Sequence, residues 1–507
     1  MNGRQRFILA KNALANVVRG SSTAVMAVVL PPFLTRFMSP DAYGTWALVL
    51  QISAYVGYLD FGIQTAVGRF VAHANERNDK EHRDSIVSTS LAGLSFAGLL
   101  GLGIIAVVAI LIPDIFPRLP RHLLGDARTA LVLVASSLAI GLPASVFNGV
   151  FVGLQRYEIP ALIIGGSRIL SAVLLVIVVK HGGDLTHMGI AVASVNVLSY
   201  AMQYFLCRRL APMVKPSARL ISSRTRRELF DYCFSLSVWS FATLLVTGLD
   251  TLMVGVFDFS KVAYYTVAAT LITFILGLQS SIFGVLIPEV AVLAARDKRS
   301  ELGQMLIAST RLGMYILLIS GLPLLIAARP LLAIWVGPMY ADKSFLILRI
   351  LVVANIIRLS ALPYAMLLIG TGQQRLVIVS PLVEGFSNLL VSVIAAALMG
   401  AVGVAIGTLV GSIVGILVNW IYNVPRTTMI AVNLLSYLSD GILRPIACFS
   451  PLFLLLLIEW LIPGVVGNMQ SRLLFVTGCL TFASVWTFGL SGNQRDRVLM
   501  ALSGANR

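Results

Sequence analysis

Apolar stretches about as long as a lipid bilayer is thick recur along the whole sequence, from Leu14 to Leu490, with short polar breaks between them. Each is close to the roughly 20 residues that a helix needs to cross the hydrocarbon core. Of the 507 residues, 58% are hydrophobic and 12% are charged, against about 25% charged in soluble domains. We therefore expect an all-α integral membrane protein, and a water-soluble fold is excluded.

The stretches divide into about 14 predicted transmembrane helices. They begin near residues 14, 42, 86, 129, 158, 188, 230, 262, 303, 345, 376, 402, 441 and 472. An even number places both termini on one side, which collects about 22 Lys and Arg against about 8 on the other. Because cytoplasmic loops are rich in these residues, we predict cytoplasmic termini. The loop with Arg118, Arg121 and Arg128 is the exception.

Two pairs of motifs indicate an internal repeat. Ser39-Pro-Asp-Ala-Tyr-Gly-Thr-Trp-Ala47 and Ser260-Lys-Val-Ala-Tyr-Tyr-Thr-Val-Ala268 share five residues at an offset of about 221. Gly153-Leu-Gln-Arg156 and Gly372-Gln-Gln-Arg375 are related by about 219 residues. We expect two repeats of six helices, since parallel repeats of this kind place a substrate path between two bundles. Chance similarity among apolar helices is the alternative.

The repeat predicts four segments. They are an N-terminal six-helix bundle (1–207), a basic cytoplasmic connector (208–229), a C-terminal six-helix bundle (230–425), and two extra helices with a cytoplasmic tail (426–507). The connector is the longest polar break and carries seven Lys or Arg. We expect the two bundles to surround a central cavity.

Several functional classes lack support in the sequence. The four cysteines show no metal-ligand spacing, the five histidines fall in predicted loops or interfaces, and no phosphate-binding Gly-x-x-x-x-Gly-Lys loop occurs. The net charge of +16 is explained by orientation in the membrane, so a nucleic-acid partner is not expected. No polar segment is long enough for a soluble catalytic domain. We predict a protein without cofactor or metal and not an enzyme; a glycan polymerase or ligase is the enzymatic rival.

Several stretches resemble one family of membrane proteins. They are Leu34-Thr-Arg-Phe-Met-Ser-Pro-Asp-Ala-Tyr-Gly-Thr-Trp-Ala-Leu48, Tyr58-Leu-Asp-Phe-Gly-Ile63 with Arg69, Gly153-Leu-Gln-Arg-Tyr157, and Gly400-Ala-Val-Gly-Val-Ala405. Across about residues 8–425 the chain resembles the polysaccharide exporters, which include the O-antigen flippases of the multidrug/oligosaccharidyl-lipid/polysaccharide exporter superfamily.

The resemblance implies a V-shaped pair of bundles with a central cavity. It also implies alternating access that carries an undecaprenyl-pyrophosphate-linked oligosaccharide from the cytoplasmic to the periplasmic leaflet of the bacterial inner membrane. The expected partners are this lipid-linked substrate, membrane lipids, a glycan polymerase and a chain-length regulator. Transport would be driven by an H⁺ or Na⁺ gradient, for which the acidic residues within the spans are the candidates, or by the membrane potential acting on the charged head group.

Cationic and polar residues within the spans are the candidates for substrate binding. A charge at the bilayer centre costs at least about 2.5–3.5 kcal/mol, so such residues usually face a bundle interior or wet cavity. Guanidinium groups match phosphate oxygens in bidentate geometry. The candidates are Asn16, Arg19, Arg69, Arg168 and Arg358. Arg19, which shares one helical face with Asn12, Asn16 and Thr23, is the first choice for the head group; an interfacial arginine that reaches lipid phosphate is the alternative.

Acidic residues within the spans are candidates for ion coupling or for structural ion pairs. They are Asp60, Asp250, Glu289 and Glu384. Asp250 ends a polar ladder on the seventh span with Ser240, Thr243 and Thr247, which favours a wet cavity or a cation path, or hydrogen bonding between helices. A drug or cation exporter of the same superfamily, a peptidoglycan-precursor flippase and a non-transport scaffold of a glycan assembly complex remain as alternative functions.

Overall fold

The computed structural model describes residues 26–373, 378–461 and 476–489, and the regular structure within these ranges is helical. We number eighteen helices in chain order. They are α1 Met26–Phe37, α2 Pro40–Tyr55, α3 Ile63–Glu76, α4 Lys80–Ile115, α5 Arg121–Gly141, α6 Ser145–Gly153, α7 Glu158–Lys180, α8 Leu185–Leu210, α9 Ser223–Thr243, α10 Asp250–Phe257, α11 Val262–Phe283, α12 Ile287–Ala295, α13 Arg299–Ile326, α14 Ala328–Val336, α15 Pro338–Leu359, α16 Leu362–Thr371, α17 Val379–Met399 and α18 Ala401–Val418.

Eleven helical segments in the described ranges are long and apolar enough to cross a membrane. They are Pro40–Glu76, Lys80–Ile115, Arg121–Gly153, Glu158–Lys180, Leu185–Leu210, Ser223–Val246, Phe259–Ala295, Arg299–Ile326, Pro338–Thr371, Val379–Met399 and Ala401–Arg426. The pair Leu434–Cys448 and Ser450–Ile458, bent by 55°, adds a twelfth if it is one span. The all-helical membrane fold is confirmed. The count of 14 stays a prediction, because the first and last predicted spans extend beyond the described residues.

Two of the long spans begin at clear sequence signals. The Ser39 side chain accepts a hydrogen bond from the backbone N–H of Ala42, and Pro40 occupies the first turn of α2. The Asp79 side chain accepts one from His82 and begins α4. Both arrangements satisfy backbone donors that lack a partner within the helix.

Both halves of the chain interrupt corresponding spans at corresponding places. The turn Val56–Asp60 separates α2 from α3, and the turn Gly284–Leu286 separates α11 from α12 about 227 residues later. The turn Leu142–Ala144 and the start of α16 at Leu362 both contain a Leu-Pro pair. These shared interruptions agree with the repeat expected from the two motif pairs.

The two copies of the first motif, at residues 39–47 and 260–268, contact each other in the structure. A Cβ atom at Gly44, on α2, would lie 3.2 Å from the backbone nitrogen of Ala263 and 3.3 Å from the Cβ of Val262. The absence of a side chain at Gly44 therefore lets α2 approach the start of α11 closely. Tyr340 lies beside both copies, with ring centroids 6.4 Å from Tyr43 and 5.2 Å from Tyr264.

Four glycines spaced by four residues form a packing surface on α18. Cβ atoms at Gly403, Gly407, Gly411 and Gly415 of α18 would collide with atoms of α17, at Ala395, Ser392, Asn388 and Glu384 respectively. Glycine every fourth residue makes one smooth stripe along a helix, and this stripe permits close packing in a membrane.

The connector predicted at 208–229 contains the end of α8, a linking segment at 211–222 with one 3₁₀ turn at Ala218–Leu220, and the start of α9. Hydroxyl groups of α4 hold this linking segment. Ser85 donates to the carbonyl of Leu220 (2.8 Å), and Ser88 accepts from the backbone N–H of Ser217 (2.9 Å). The connector is thus fastened to a neighbouring helix.

The chain separates into two compact units. The first comprises Met1–Ile282, Arg329–Leu351 and Val377–Gly415; the second comprises Phe283–Ala328, Val352–Leu376 and Ile416–Arg507. In the second unit, buried Ile326 and Leu455 form an apolar cluster, and the hydroxyls of Tyr364 and Thr427 share a buried hydrogen bond. The four segments predicted from the sequence remain a prediction.

Candidate functional site

The second predicted span is broken at Asp60. Phe61 and Gly62 adopt left-handed backbone conformations, with φ of 48° and 78°, between the turn Val56–Asp60 and α3. The half-buried Asp60 carboxylate accepts hydrogen bonds from the Ser145 hydroxyl (3.0 Å) and the backbone N–H of Gln64 (3.4 Å). A carboxylate at the first turn of a helix is favoured by the helix dipole. Asp60 therefore fixes the interruption and joins it to α6.

Helix α9 packs against this interruption. A Cβ at Gly62 would lie 2.8 Å from the Leu236 side chain, so both the space and the backbone conformation require glycine here. The Ser237 hydroxyl lies 3.3 Å from the carbonyl oxygen of Phe61, which it can reach as a hydrogen-bond donor. Interrupted helices leave backbone groups exposed, and in membrane proteins they are tolerated where protein or a wet cavity satisfies those groups.

A cavity of about 770 Å³ opens at the far end of α3. We call it the Arg69 cavity. Its polar lining comprises Arg69, His73, Asn75, Glu76, Gln155 and Glu228, from α3, α9 and the turn after α6. Close approach of α6 to α3 shapes one wall, because Cβ atoms at Gly149 and Gly153 would lie 2.7–2.8 Å from backbone carbonyls of α3.

Of the five substrate-binding candidates, Arg69 is the one that lines this cavity, where a ligand can reach it. Its side chain is exposed, and the guanidinium carbon lies 4.9 Å from the centre of the Tyr232 ring on α9. The ring of Phe70 contacts the same tyrosine at 5.6 Å. Within the part of the chain that the structure describes, no carboxylate forms a salt bridge with Arg69. A guanidinium held by an aromatic ring keeps its hydrogen-bond donors available for an anion.

A second polar cluster surrounds Asp250, at the start of α10. Its carboxylate accepts hydrogen bonds from the hydroxyls of Tyr265 (3.1 Å) and Thr408 (3.1 Å) and from the amide of Asn388 (3.3 Å). Ser392 donates to the Asn388 amide oxygen at 3.0 Å. We call these five residues the Asp250 cluster; they come from α10, α11, α17 and α18.

The Asp250 cluster is tied to the second span through the backbone. The π-helical turn Leu244–Gly248 precedes Asp250, and π-turns often occur at functional sites. The carbonyl oxygen of Gly248 accepts hydrogen bonds from the Gln51 amide (2.8 Å) and the Tyr55 hydroxyl (2.5 Å). Movement of α2 would therefore act directly on the segment that positions Asp250.

The remaining candidates lie in different environments. Asn16 and Arg19 lie outside the described residues. Arg168 and Glu289 are exposed, whereas Arg358 is half-buried and donates a hydrogen bond to Asn355. Glu384 borders Gly415 of the neighbouring helix. These site assignments stay predictions.

Sequence reasoning missed four members of the Asp250 cluster. Tyr265 was noticed only as part of a repeat motif, Asn388 and Ser392 lie four residues apart on α17, and Thr408 follows Gly407 on α18. Polar residues spaced by four in otherwise apolar spans are a signal of an inward-facing side. This signal could have directed attention to α17.

A match to a known family decides the affiliation. Residues 9–294 match the family described as "Polysaccharide biosynthesis protein". The chain belongs to this family. It is 23% identical over 393 residues to "Uncharacterized membrane protein EpsK" of Bacillus subtilis (strain 168), covering 75% of this chain and 76% of that protein. It is 19% identical to a Shigella flexneri protein named "Putative O-antigen transporter", covering 68% and 81%.

Solved structures show the same fold. The lipid II flippase MurJ in an inward closed conformation matches with a TM-score of 0.70 and 12% identity, covering 92% of this chain and 97% of that chain. A protein from Pyrococcus furiosus described as a "MOP superfamily transporter" matches with a TM-score of 0.59 and 15% identity, covering 83% and 95%. The polysaccharide family expected from the sequence motifs is confirmed by the family match, and the solved structures show that the helical fold is shared. The protein is a multi-pass membrane protein, and the similar proteins whose role is named are transporters or flippases, not enzymes.

Proposed function

We propose that the protein is a flippase that moves an undecaprenyl-pyrophosphate-linked oligosaccharide, such as a repeat unit of O-antigen, capsule or exopolysaccharide, from the cytoplasmic to the periplasmic leaflet of the bacterial inner membrane. The observation that carries the proposal is the exposed Arg69 guanidinium in an open cavity of about 770 Å³, in a chain of the polysaccharide biosynthesis family. Both termini lie in the cytoplasm in this proposal.

The Arg69 cavity has the chemistry to receive the phosphate-bearing head group. Pyrophosphate carries at least two negative charges, and guanidinium donors bind phosphate oxygens in charge-assisted pairs. Glu76 and Glu228 also line the cavity, so we assign the anion contact to Arg69 and the hydroxyl-bearing part of the ligand to the polar rim. Arg19, Asn16, Arg168 and Arg358 remain proposed substrate-binding residues.

The second span is closely packed at one end and borders an open cavity at the other, and this difference supports alternating access. The motif contact between Gly44 and the start of α11 lies at the beginning of the second span, whereas the Arg69 cavity lies at its end. With cytoplasmic termini, the close contact is periplasmic and the open cavity is cytoplasmic. This arrangement is expected of a state that receives its substrate from the cytoplasmic leaflet.

The Asp250 cluster is our proposed ion-coupling site. Its oxygen atoms come from a carboxylate, an amide and three hydroxyls, and such hard oxygen ligands suit H⁺ or a small cation such as Na⁺. The hydrogen bond from Gln51 of α2 to the carbonyl of Gly248 couples the site to movement of α2. A glycan polymerase and a chain-length regulator are proposed partners, since they would act on the translocated product.

The test measures translocation in proteoliposomes with Arg69 variants. The substrate is fluorescent undecaprenyl-pyrophosphate oligosaccharide, and the readout is the fraction protected from an external quencher. We expect Arg69→Ala to lower the initial rate about tenfold or more, because a hydrogen bond to a charged group contributes about 1.5–3 kcal/mol, and Arg69→Lys to lower it less.

Arg208→Ala is the matched control. Arg208 also lies over an aromatic ring, 5.5 Å from the centre of Tyr204, but it does not line the Arg69 cavity. We expect wild-type rates from this variant. Equal rates for Arg69→Ala and Arg208→Ala would remove Arg69 from the substrate path.

A further inference from the structure

A second cavity, of about 300 Å³, lies near the start of the second span. We call it the threonine cavity. One wall is aliphatic and consists of α1 residues between Met26 and Leu34. The other wall carries Thr251, Thr266, Thr270 and Thr273, and Gln51, Trp46 and Tyr43 complete the polar lining. All of these residues belong to the first compact unit.

The lining of the threonine cavity is neutral. Among the described residues that border it, none carries a charge. It therefore differs from the Arg69 cavity, and a pyrophosphate group would lose its hydration there without gaining a cationic partner. A polyprenyl tail is also a poor match, because tails need no hydroxyl partners. A third cavity, lined by Val56, Leu59, Ile104 and other apolar residues, has the surface that a tail requires.

Two buried polar atoms at the threonine cavity lack hydrogen-bond partners. They are Nε1 of Trp46 and Oγ1 of Thr266, as far as the described residues show; the Trp46 side chain is 1% exposed. Buried donors are almost always paired, so each exception requires an explanation. A ligand with hydroxyl groups, entering between the two walls, would supply the missing partners.

The other hydroxyls present acceptor capacity. Thr270 donates to the carbonyl of Thr266 (2.8 Å), and Thr273 donates to that of Ala269 (3.1 Å), so their oxygen atoms can still accept. The Gln51 amide nitrogen donates to Gly248. The wall thus offers donors and acceptors at neighbouring positions, and the aliphatic wall can cover C–H groups.

We propose that the threonine cavity is a subsite for one sugar unit of the transported glycolipid. A pyranose presents hydroxyls that donate and accept along its edge and C–H groups on its face, which match the two walls. The volume is near the lower end of ligand sites, about 300–1,000 Å³, so the cavity suits one sugar rather than a whole repeat unit. This inference rests on the proposed function and specifies where the glycan is recognised.

The subsite adjoins the Asp250 cluster. Thr251 follows Asp250 on α10, and Thr266 follows Tyr265, which donates to the Asp250 carboxylate on α11. The two sites therefore share the starts of two helices. A sugar that orders Thr251 and Thr266 would also order the groups that hold Asp250.

The test compares the binding of two soluble probes to the full-length protein in detergent by titration calorimetry. The probes are a farnesyl-pyrophosphate-linked tetrasaccharide, whose distal sugars lie away from the pyrophosphate, and farnesyl pyrophosphate itself. We expect the wild type to bind the sugar-bearing probe at least about tenfold more tightly, and the double variant Thr266→Val with Thr270→Val to reduce this ratio below about threefold. Affinity for farnesyl pyrophosphate should not change.

Three further variants serve as two controls and one alternative test. Thr129→Val makes the same substitution at a back-bonded helical threonine away from the cavity and should retain the wild-type ratio. Thr266→Ser retains the hydroxyl and should also retain the ratio. Trp46→Phe removes one N–H donor and should lower the ratio, which provides a second route if the double variant does not fold.

The outcomes separate the two proposals. If the wild type binds both probes equally, or if the variants lose affinity for both in parallel, the sugar subsite is wrong and the flippase proposal stands. If the wild type binds neither probe, the proposed function is contradicted and the subsite with it. Selective loss of the sugar-bearing probe alone supports the subsite.

Discussion

The two interior aspartates of the first unit have different surroundings, and this difference separates their roles. Asp60 accepts hydrogen bonds from Ser145 and from the first turn of α3, at an interruption that it helps to fix. Asp250 accepts hydrogen bonds from side chains of three other helices. An ion that neutralised Asp250 would change contacts across four helices at once. We therefore assign coupling to Asp250 and a positioning role to Asp60.

We expect Asp250→Asn to abolish the dependence of transport on a Na⁺ or H⁺ gradient. The substitution removes the negative charge but keeps a side chain of similar size. Translocation would be measured in proteoliposomes with and without each gradient at a fixed membrane potential. The double variant of Asp60 and Asp250 to Asn should behave in the same way, whereas Asp60→Asn alone should retain the dependence. Unchanged gradient dependence in the double variant would rule out coupling through either aspartate.

At this scale the sequence predicted which residue types matter better than it predicted their neighbours. Asp60, Asp250 and Arg69 were recognisable because charges are expensive within a membrane span. The partners Asn388, Thr408 and Ser145 were not, because a neutral polar residue in a span costs much less and leaves a weaker signal. The pairing of α10 with α17 and α18 depends on tertiary packing, which periodicity does not contain.

Glycine permits close packing of helices in this protein, most clearly where α18 packs on α17. The sequence signal for this face is four glycines spaced by four residues. Hydropathy could not predict the interruption at Asp60-Phe61-Gly62, since the apolar pattern continues through it. Its signal was a single glycine after a carboxylate, and short signals of this kind occur often by chance. Packing of α9 against Gly62 explains why the interruption lies there.

We expect Gly407→Ala to lower the free energy of unfolding by about 1–3 kcal/mol, the usual cost of overpacking. The added methyl group would collide with Ser392 and push α18 away from α17. Thermal unfolding of the purified protein in detergent would measure the effect. Gly93→Ala on α4 is the control, because a Cβ there has no neighbour within 4 Å and alanine is the better helix former. Equal melting temperatures for the two variants would contradict the packing role of the stripe.

At the scale of the whole molecule, the orientation in the membrane determines the direction of transport. The excess of Lys and Arg on one side predicts cytoplasmic termini, and in the proposed topology the connector and the Arg69 cavity lie on that same side. The sequence predicted the fold class correctly, because bilayer thickness constrains helix length, whereas the count of 14 spans stays a prediction. It did not predict the two compact units, whose boundaries cross α11, α15 and α18.

Labelling of single cysteines tests this orientation. Of the four native cysteines, Cys479 is exposed, so the background for labelling is Cys479→Ser. In that background we expect His181→Cys, at an exposed position in the loop between α7 and α8, to react with a membrane-impermeant maleimide added to intact spheroplasts. Ser217→Cys, in the connector, should react only after permeabilisation. Reaction of both sites in intact spheroplasts, or the reverse pattern, would contradict cytoplasmic termini.

The most direct test of the flippase proposal is transport by the wild-type protein alone. Proteoliposomes would be supplied with fluorescent undecaprenyl-pyrophosphate oligosaccharides or with a cationic dye, and the quencher-protected fraction compared with that of protein-free liposomes. We predict time-dependent protection of the lipid-linked oligosaccharide and no movement of the dye. Movement of the dye without the lipid would indicate a drug exporter, and movement of neither, with or without an ion gradient, would contradict transport and favour a scaffold.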